Sequence, residues 1–249
     1  MQNRYAGDVG DYVKLGLLRA LSPGRRLGVA WYLHPDEAHN SDGRHTAYLS
    51  DPERWRHLDP DLFDALGRLV AGTRSVAGIE RAGIIDATFH KTEVPSEATG
   101  RSTRASDRSR WFVEVEEALR PCDLVFADPD NGLVDDGPER PGDRKHAKQI
   151  PLQEALALAR GRPALIYHHN TRFKGGHDRE VEHWLSLLGQ EALAVRASAF
   201  SCRTFFILNP DEVSIRRVER FCTTWAAARV RLDTAPILST FAPVAPAHR

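Results

Sequence analysis

The chain has 249 residues, with 34 Lys+Arg against 34 Asp+Glu and 41% hydrophobic residues. That is ordinary globular composition, so overall disorder is excluded, and a zero net charge leaves no bulk field to draw the chain onto nucleic acid or membranes. Cys122, Cys202 and Cys222 are too few and too scattered for a disulfide framework, and none forms a CxxC pair for structural zinc.

The length suits one α/β domain spanning 1–249. No apolar leader core opens the chain and no run of 18 apolar residues occurs, so a cytoplasmic protein without a membrane span is expected. Apolar spacing at Tyr12, Leu15, Leu18 and Leu21 predicts a helix over Asp11–Leu21, ended by Pro23-Gly24. Leu27–Leu33 reads as a buried strand, Asp59–Ala71 as a helix and Ile84–Phe89 as a strand. Asp107–Leu119 reads as a helix, followed by strands at Asp123–Ala127 and Ala164–Tyr167 and a helix at Asp178–Leu188. Leu193–Ala199 and Thr204–Leu208 read as a final strand pair, and Asp211–Ala228 as a helix. Residues 91–106 and 135–148 are polar or rich in Pro and Gly and read as surface loops or substrate lids; 233–249 reads as a tail.

Strands alternating with helices, with a late hairpin, predict a doubly wound, mostly parallel sheet ending in an antiparallel pair, a Rossmann-like three-layer sandwich of the methyltransferase type. Ligands in such sheets bind beyond the carboxyl ends of the strands. Asp128-Pro129-Asp130-Asn131-Gly132 falls at such an end, directly after DLVFA. Pro129 fixes one torsion, and Asn131-Gly132 suits a sharp turn, which gathers the side chains of Asp128, Asp130 and Asn131. Plain turn chemistry is the alternative reading. In the segment Tyr5–Lys14, Gly7 and Gly10 permit close backbone approach and Asp8 or Asp11 can cap the following helix. Lys14 stands among apolar residues one turn into that helix. His168 lies in Tyr167-His168-His169-Asn170, again at a strand end, where imidazole can bind metal or move a proton. His34-Pro35-Asp36, then Asn40–Arg44, follow the first strand, where a nucleotide cofactor would meet backbone. GxGxxG, P-loop, GxSxG and HExxH patterns are all absent, which disfavours NAD or FAD binding, P-loop nucleotidases, α/β-hydrolases and zincins.

With these residues in place, the chain resembles the bacterial ribosomal-RNA adenine methyltransferases that act on large-subunit RNA as single-domain enzymes. That family opens with HAGNHADVLKH; YAGDVGDYVKL stands here and matches at Ala6, Gly7, Asp11 and Lys14. Tyr32-Leu33-His34 corresponds to its Tyr-Leu-Asp, Asp128–Asn131 to its DPPY, and Phe205–Pro210 to its MFVINPP, all in the same order. The resemblance implies an S-adenosylmethionine-dependent methyltransferase modifying a nucleic acid base or a related nucleophile. Asp128, Pro129, Asp130, Asn131 and His168 are the expected catalytic set. Tyr5, Gly7, Asp11, Lys14, His34 and Asp36 are expected near the cofactor. Three departures stand out. Asp130 replaces the second proline, Asn131 replaces the stacking aromatic, and His34-Pro35-Asp36 replaces a glycine-rich turn.

Two alternatives remain open on sequence. One is a metal-dependent phosphodiesterase or nuclease holding Mg or Mn on Asp8, Asp11, Asp128, Asp130 and His168. The other is a non-catalytic binding protein. Arg101, Arg104 and Arg108, with Trp111-Phe112 just beyond, are candidate RNA or DNA contacts, with a solvated loop as the plainer reading. A monomer or homodimer is expected.

Overall fold

The computed structural model describes residues 1–37, 43–97, 100–138, 140 and 142–234. The order of elements is α1 (Val9–Leu21), β1 (Leu27–Ala30), α2 (Pro52–Trp55), α3 (Pro60–Ala71), α4 (Val76–Arg81), β2 (Ala87–His90), α5 (Arg101–Ala118) and β3 (Leu124–Ala127). Then come β4 (Gly132–Val134), β5 (Gln149–Pro151), α6 (Leu152–Leu158), β6 (Ala164–His169), α7 (Gly176–Leu188), β7 (Leu193–Ala197), β8 (Arg203–Leu208), α8 (Glu212–Thr224) and β9 (Val230–Thr234).

The main sheet has seven strands in the order β2-β1-β3-β6-β8-β7-β9, and β4 pairs with β5 in a separate parallel ribbon. β2, β1, β3 and β6 run parallel; β8 is antiparallel to both β6 and β7, and β9 is antiparallel to β7. The sheet is therefore mostly parallel with a late hairpin, as the alternation of elements implies. Side chains alternate between its two faces. Leu124, Phe126, Leu165, Phe205 and Ile207 join a core with α1, α3 and α8, whereas Val125, Ala127, Ile166, Phe206 and Leu208 join a second core with α5, α6 and α7. This period of two gives the three layers. The chain leaves β1 for β2 in one direction and returns to β3 on its other side, so the topological switch lies between β1 and β3.

Several boundaries differ from the sequence pattern. β1 stops at Ala30 rather than Leu33, because Tyr32 turns to a positive φ of 48°. α5 starts at Arg101, so 101–106 of the expected loop are helical. Its first turns are polar and largely exposed and carry no apolar period to betray them. α8 ends at Thr224 instead of running to Ala228, and Arg229 at φ 59° leads into β9, an edge strand where a helix end and the start of a tail were expected. Of the expected loop 135–148, Arg144–Lys148 is 3-10 helical. Residues 98, 99, 139 and 141 of the two loops, Asn40, Ser41 and Asp42, and residues 235–249 of the tail lie outside the described residues. Among the described residues no helix is long and apolar enough to cross a membrane.

Candidate functional site

A pocket of about 270 Å³ opens beside the switch point, at the carboxyl end of β3 and the N-terminus of α1. Tyr5, Asp8, Gly10, Asp11, Lys14, Asp128–Asn131, Tyr167, His169, Ser201 and Arg203 all line it. Its volume is near the lower limit for small-molecule sites, about 300–1,000 Å³.

Local chemistry fixes its floor. Asp8 is the N-cap of α1 and accepts from the Asp11 amide at 3.0 Å. Asp11 accepts from the Gly7 amide at 2.9 Å, and its other oxygen lies 2.6 Å from Lys14 Nζ. The same ammonium donates to Asp128 Oδ2 at 2.6 Å. All four side chains are buried. Burial pulls the Lys14 ammonium down, but Asp11 and Asp128 outweigh it and raise the ammonium above its ordinary range. Burial raises the Asp128 carboxyl, partly countered by Lys14. Asp8 is also raised, by burial and then by the neighbouring Asp11 charge, with Arg203 opposing. Asp130 moves the other way: burial raises it, but the Met1 ammonium 2.8 Å away and Gln2, which donates at 2.6 Å, bring it below the ordinary range.

The Asp128–Gly132 turn is pinned on both sides. The Asn131 amide donates to the Lys148 carbonyl at 2.8 Å, and the Leu133 amide donates to His168 Nδ1 at 3.0 Å. Gly132 has φ +87°, and a Cβ there would fall 2.5 Å from the His168 Cα. On its upstream side the Met1 ammonium donates to the carbonyls of Tyr32 and Asp128, both at 2.9 Å. The segment Met1-Gln2 thus fills the crevice between the ends of β1 and β3.

The expected residues divide. Tyr5, Asp11, Lys14, Asp128, Pro129, Asp130 and Asn131 come together around one pocket, whereas Gly7, His34, Asp36 and His168 do not line it. Gly7 supplies a turn at φ +81° and offers its carbonyl to the Tyr48 hydroxyl. The His34 amide donates to the Met1 carbonyl, and Asp36 accepts from the Arg4 amide. His168 belongs to a buried network instead: its Nε2 lies 3.1 Å from Glu180 Oε1, and Glu180 also accepts from Asn170, the Thr171 amide and the Thr171 hydroxyl. Burial raises Glu180, but these hydrogen bonds bring it to about 2.

The four carboxylates of the alternative metal set line the pocket, but they are not assembled around a common point. Lys14 occupies the space between Asp11 and Asp128, His168 is elsewhere, and among the described residues no three His, Cys, Asp or Glu side chains gather at metal-binding geometry. The arginine cluster is also corrected in part. Arg108, only 7% exposed, holds Glu154 at 2.9 and 2.7 Å and lies over the Tyr32 and Trp111 rings. Arg104 donates to the Gly142 carbonyl at 2.7 Å, and none of Arg101, Arg104 or Arg108 lines the pocket. Arg108 also donates to the His146 and Gln149 carbonyls, so the segment from Gly142 to Gln149 is tied onto α5.

Sequence reasoning missed Arg203, Ser201 and Tyr167 as site residues. One signal was present: an arginine opens the otherwise apolar run RTFFIL directly after a strand turn. At the same turn Phe200 has φ 66° and is 49% exposed, with its ring 6.0 Å from His45, which also lines the pocket. A non-glycine residue held in that region marks strain, which clusters at functional sites. No known family model matches the chain, and no curated protein matches it.

Proposed function

We propose that this pocket is the active site of a methyltransferase that uses S-adenosylmethionine to modify an amine on a flat-ringed acceptor, a nucleic acid base being the prime candidate. One observation carries the reading: the two segments that resemble the family's motifs meet through Lys14 and Asp128, 114 residues apart in sequence, at 2.6 Å. When bound, the cofactor supplies an electrophilic methyl group on a cationic sulfonium. The lining leans toward that charge, since the four carboxylates Asp8, Asp11, Asp128 and Asp130 outnumber the three cations Met1, Lys14 and Arg203 that share it. Asp11, Asp128 and Tyr5 are the residues that would hold it. The Asp128 carboxylate, fixed by Lys14 through one oxygen, has its other oxygen to orient an acceptor amine. Asn131, exposed at the mouth, offers a second polar contact. Asn131 cannot stack a ring, and we assign that part to Phe200, which is half-exposed beside the lining residue Ser201 and 6.0 Å from the His45 ring.

Asp128→Ala tests the reading. Transfer of labelled methyl to RNA should fall by about 100-fold or more through lost positioning, with the fold retained by circular dichroism. Transfer should persist in chelator. Unchanged turnover in Asp128→Ala would remove this residue from the mechanism.

A further inference from the structure

We infer that Arg203 is an oxyanion-binding residue, and that the ligand of this pocket carries a carboxylate or phosphate group that docks on its guanidinium. The inference takes the pocket as a ligand site and does not require methyl transfer.

Arg203 opens β8 on the same face as Phe205 and Ile207, which aims its side chain at α1. It is only 3% exposed, yet no carboxylate pairs with it among the described residues. Among the described residues its one hydrogen bond is from Nη2 to the Ser201 hydroxyl, and its buried Nη1 meets no partner there. The other buried arginine, Arg108, has a bidentate carboxylate. A buried guanidinium with unmet donors is costly unless something completes it. Asp8 acts on Arg203 through space only, while its Oδ1 accepts from the Asp11 amide.

The surroundings suit an anion. The guanidinium lies against the first turn of α1, where Gly10 makes room: a Cβ there would stand 3.2 Å from Cζ. The positive end of a 13-residue helix and a forked donor then converge on one corner of the pocket. Ser201 keeps the fork oriented.

The test uses the full chain with inorganic phosphate and acetate as probes, read by calorimetry and thermal melting, in the wild type, Arg203→Met and Arg203→Lys. At least one anion should bind the wild type and raise its melting temperature. Arg203→Met should weaken that binding by about 10- to 150-fold, the loss expected for charged hydrogen bonds. Without anion it should melt at or above the wild type, since it removes an uncompensated buried charge. Arg203→Lys should retain part of the binding. Equal anion affinity in Arg203→Met, or no anion binding by the wild type, would overturn the inference. So would a lysine variant that binds no better than the methionine variant while both remain folded. Competition with S-adenosylmethionine assigns the source. Phosphate that excludes the cofactor places the cofactor's own carboxylate on Arg203. Phosphate that binds beside it points to an acceptor phosphate.

Discussion

Lys14 is the residue on which the site turns. It pairs with both Asp11 and Asp128 in a pocket where all three are buried. Replacing one partner of a buried pair strands the other, which typically costs about 3–5 kcal/mol. Lys14→Met should therefore destabilise the fold by about that amount in urea unfolding, and Asp128→Asn added to it should recover part of the loss. Additive losses in the double variant would show that the two side chains do not act on each other. Phe200 gives a second residue-scale expectation, this one on function. Stacking of a base on an aromatic ring is worth about 1–3 kcal/mol, so Phe200→Ala should raise the acceptor KM by about 5- to 150-fold while leaving cofactor affinity unchanged. An unchanged KM would remove Phe200 from acceptor binding. Lys14 was legible in the sequence as a charge in an apolar helix, whereas Phe200 was not, because one aromatic in a strand turn has no periodicity or partner to mark it.

The turn after β3 is an element held from outside. β4 pairs with β5, the Asn131 amide reaches Lys148, and His168 accepts from the Leu133 amide while meeting Glu180. Gly132→Ala would combine left-handed strain with a clash against the His168 backbone. A loss of at least about 2 kcal/mol is expected, together with loss of ligand binding; a stable, active Gly132→Ala would mean the turn is not held in this form. The network under the turn also sets a pH response. Glu180 titrates near 2 in the fold, below its unfolded value, so its contribution is present above the unfolded carboxylate range and disappears as pH falls from about 4.5 to about 2. It amounts to about 2–3 kcal/mol, and Glu180→Gln should flatten that part of the stability curve in acid unfolding. The DPDNG turn was readable because Pro, Asn and Gly are strong local signals. The role of His168 was not. Adjacent histidines at a strand end look like chemistry, and only the tertiary structure reveals that one is committed to a backbone amide and a glutamate on α7.

At the scale of the whole molecule, the alternation of apolar runs was enough to give the layers and the late hairpin, because burial on two faces imposes its period on the strands. It did not give β9 or the start of α5. Edge strands and polar helix ends bury little, so propensity and pattern are weakest there. The pocket owes its position to the switch between β1 and β3, and Met1, held by the Tyr32 and Asp128 carbonyls, forms part of its wall. No single motif encodes that wall. The central claim is that this pocket binds S-adenosylmethionine through its own side chains and without metal. Isothermal titration of the full chain with S-adenosylmethionine, with and without Mg²⁺, tests it most directly. Micromolar binding of equal strength in both conditions is the expected result, and no binding at millimolar cofactor in either would contradict it.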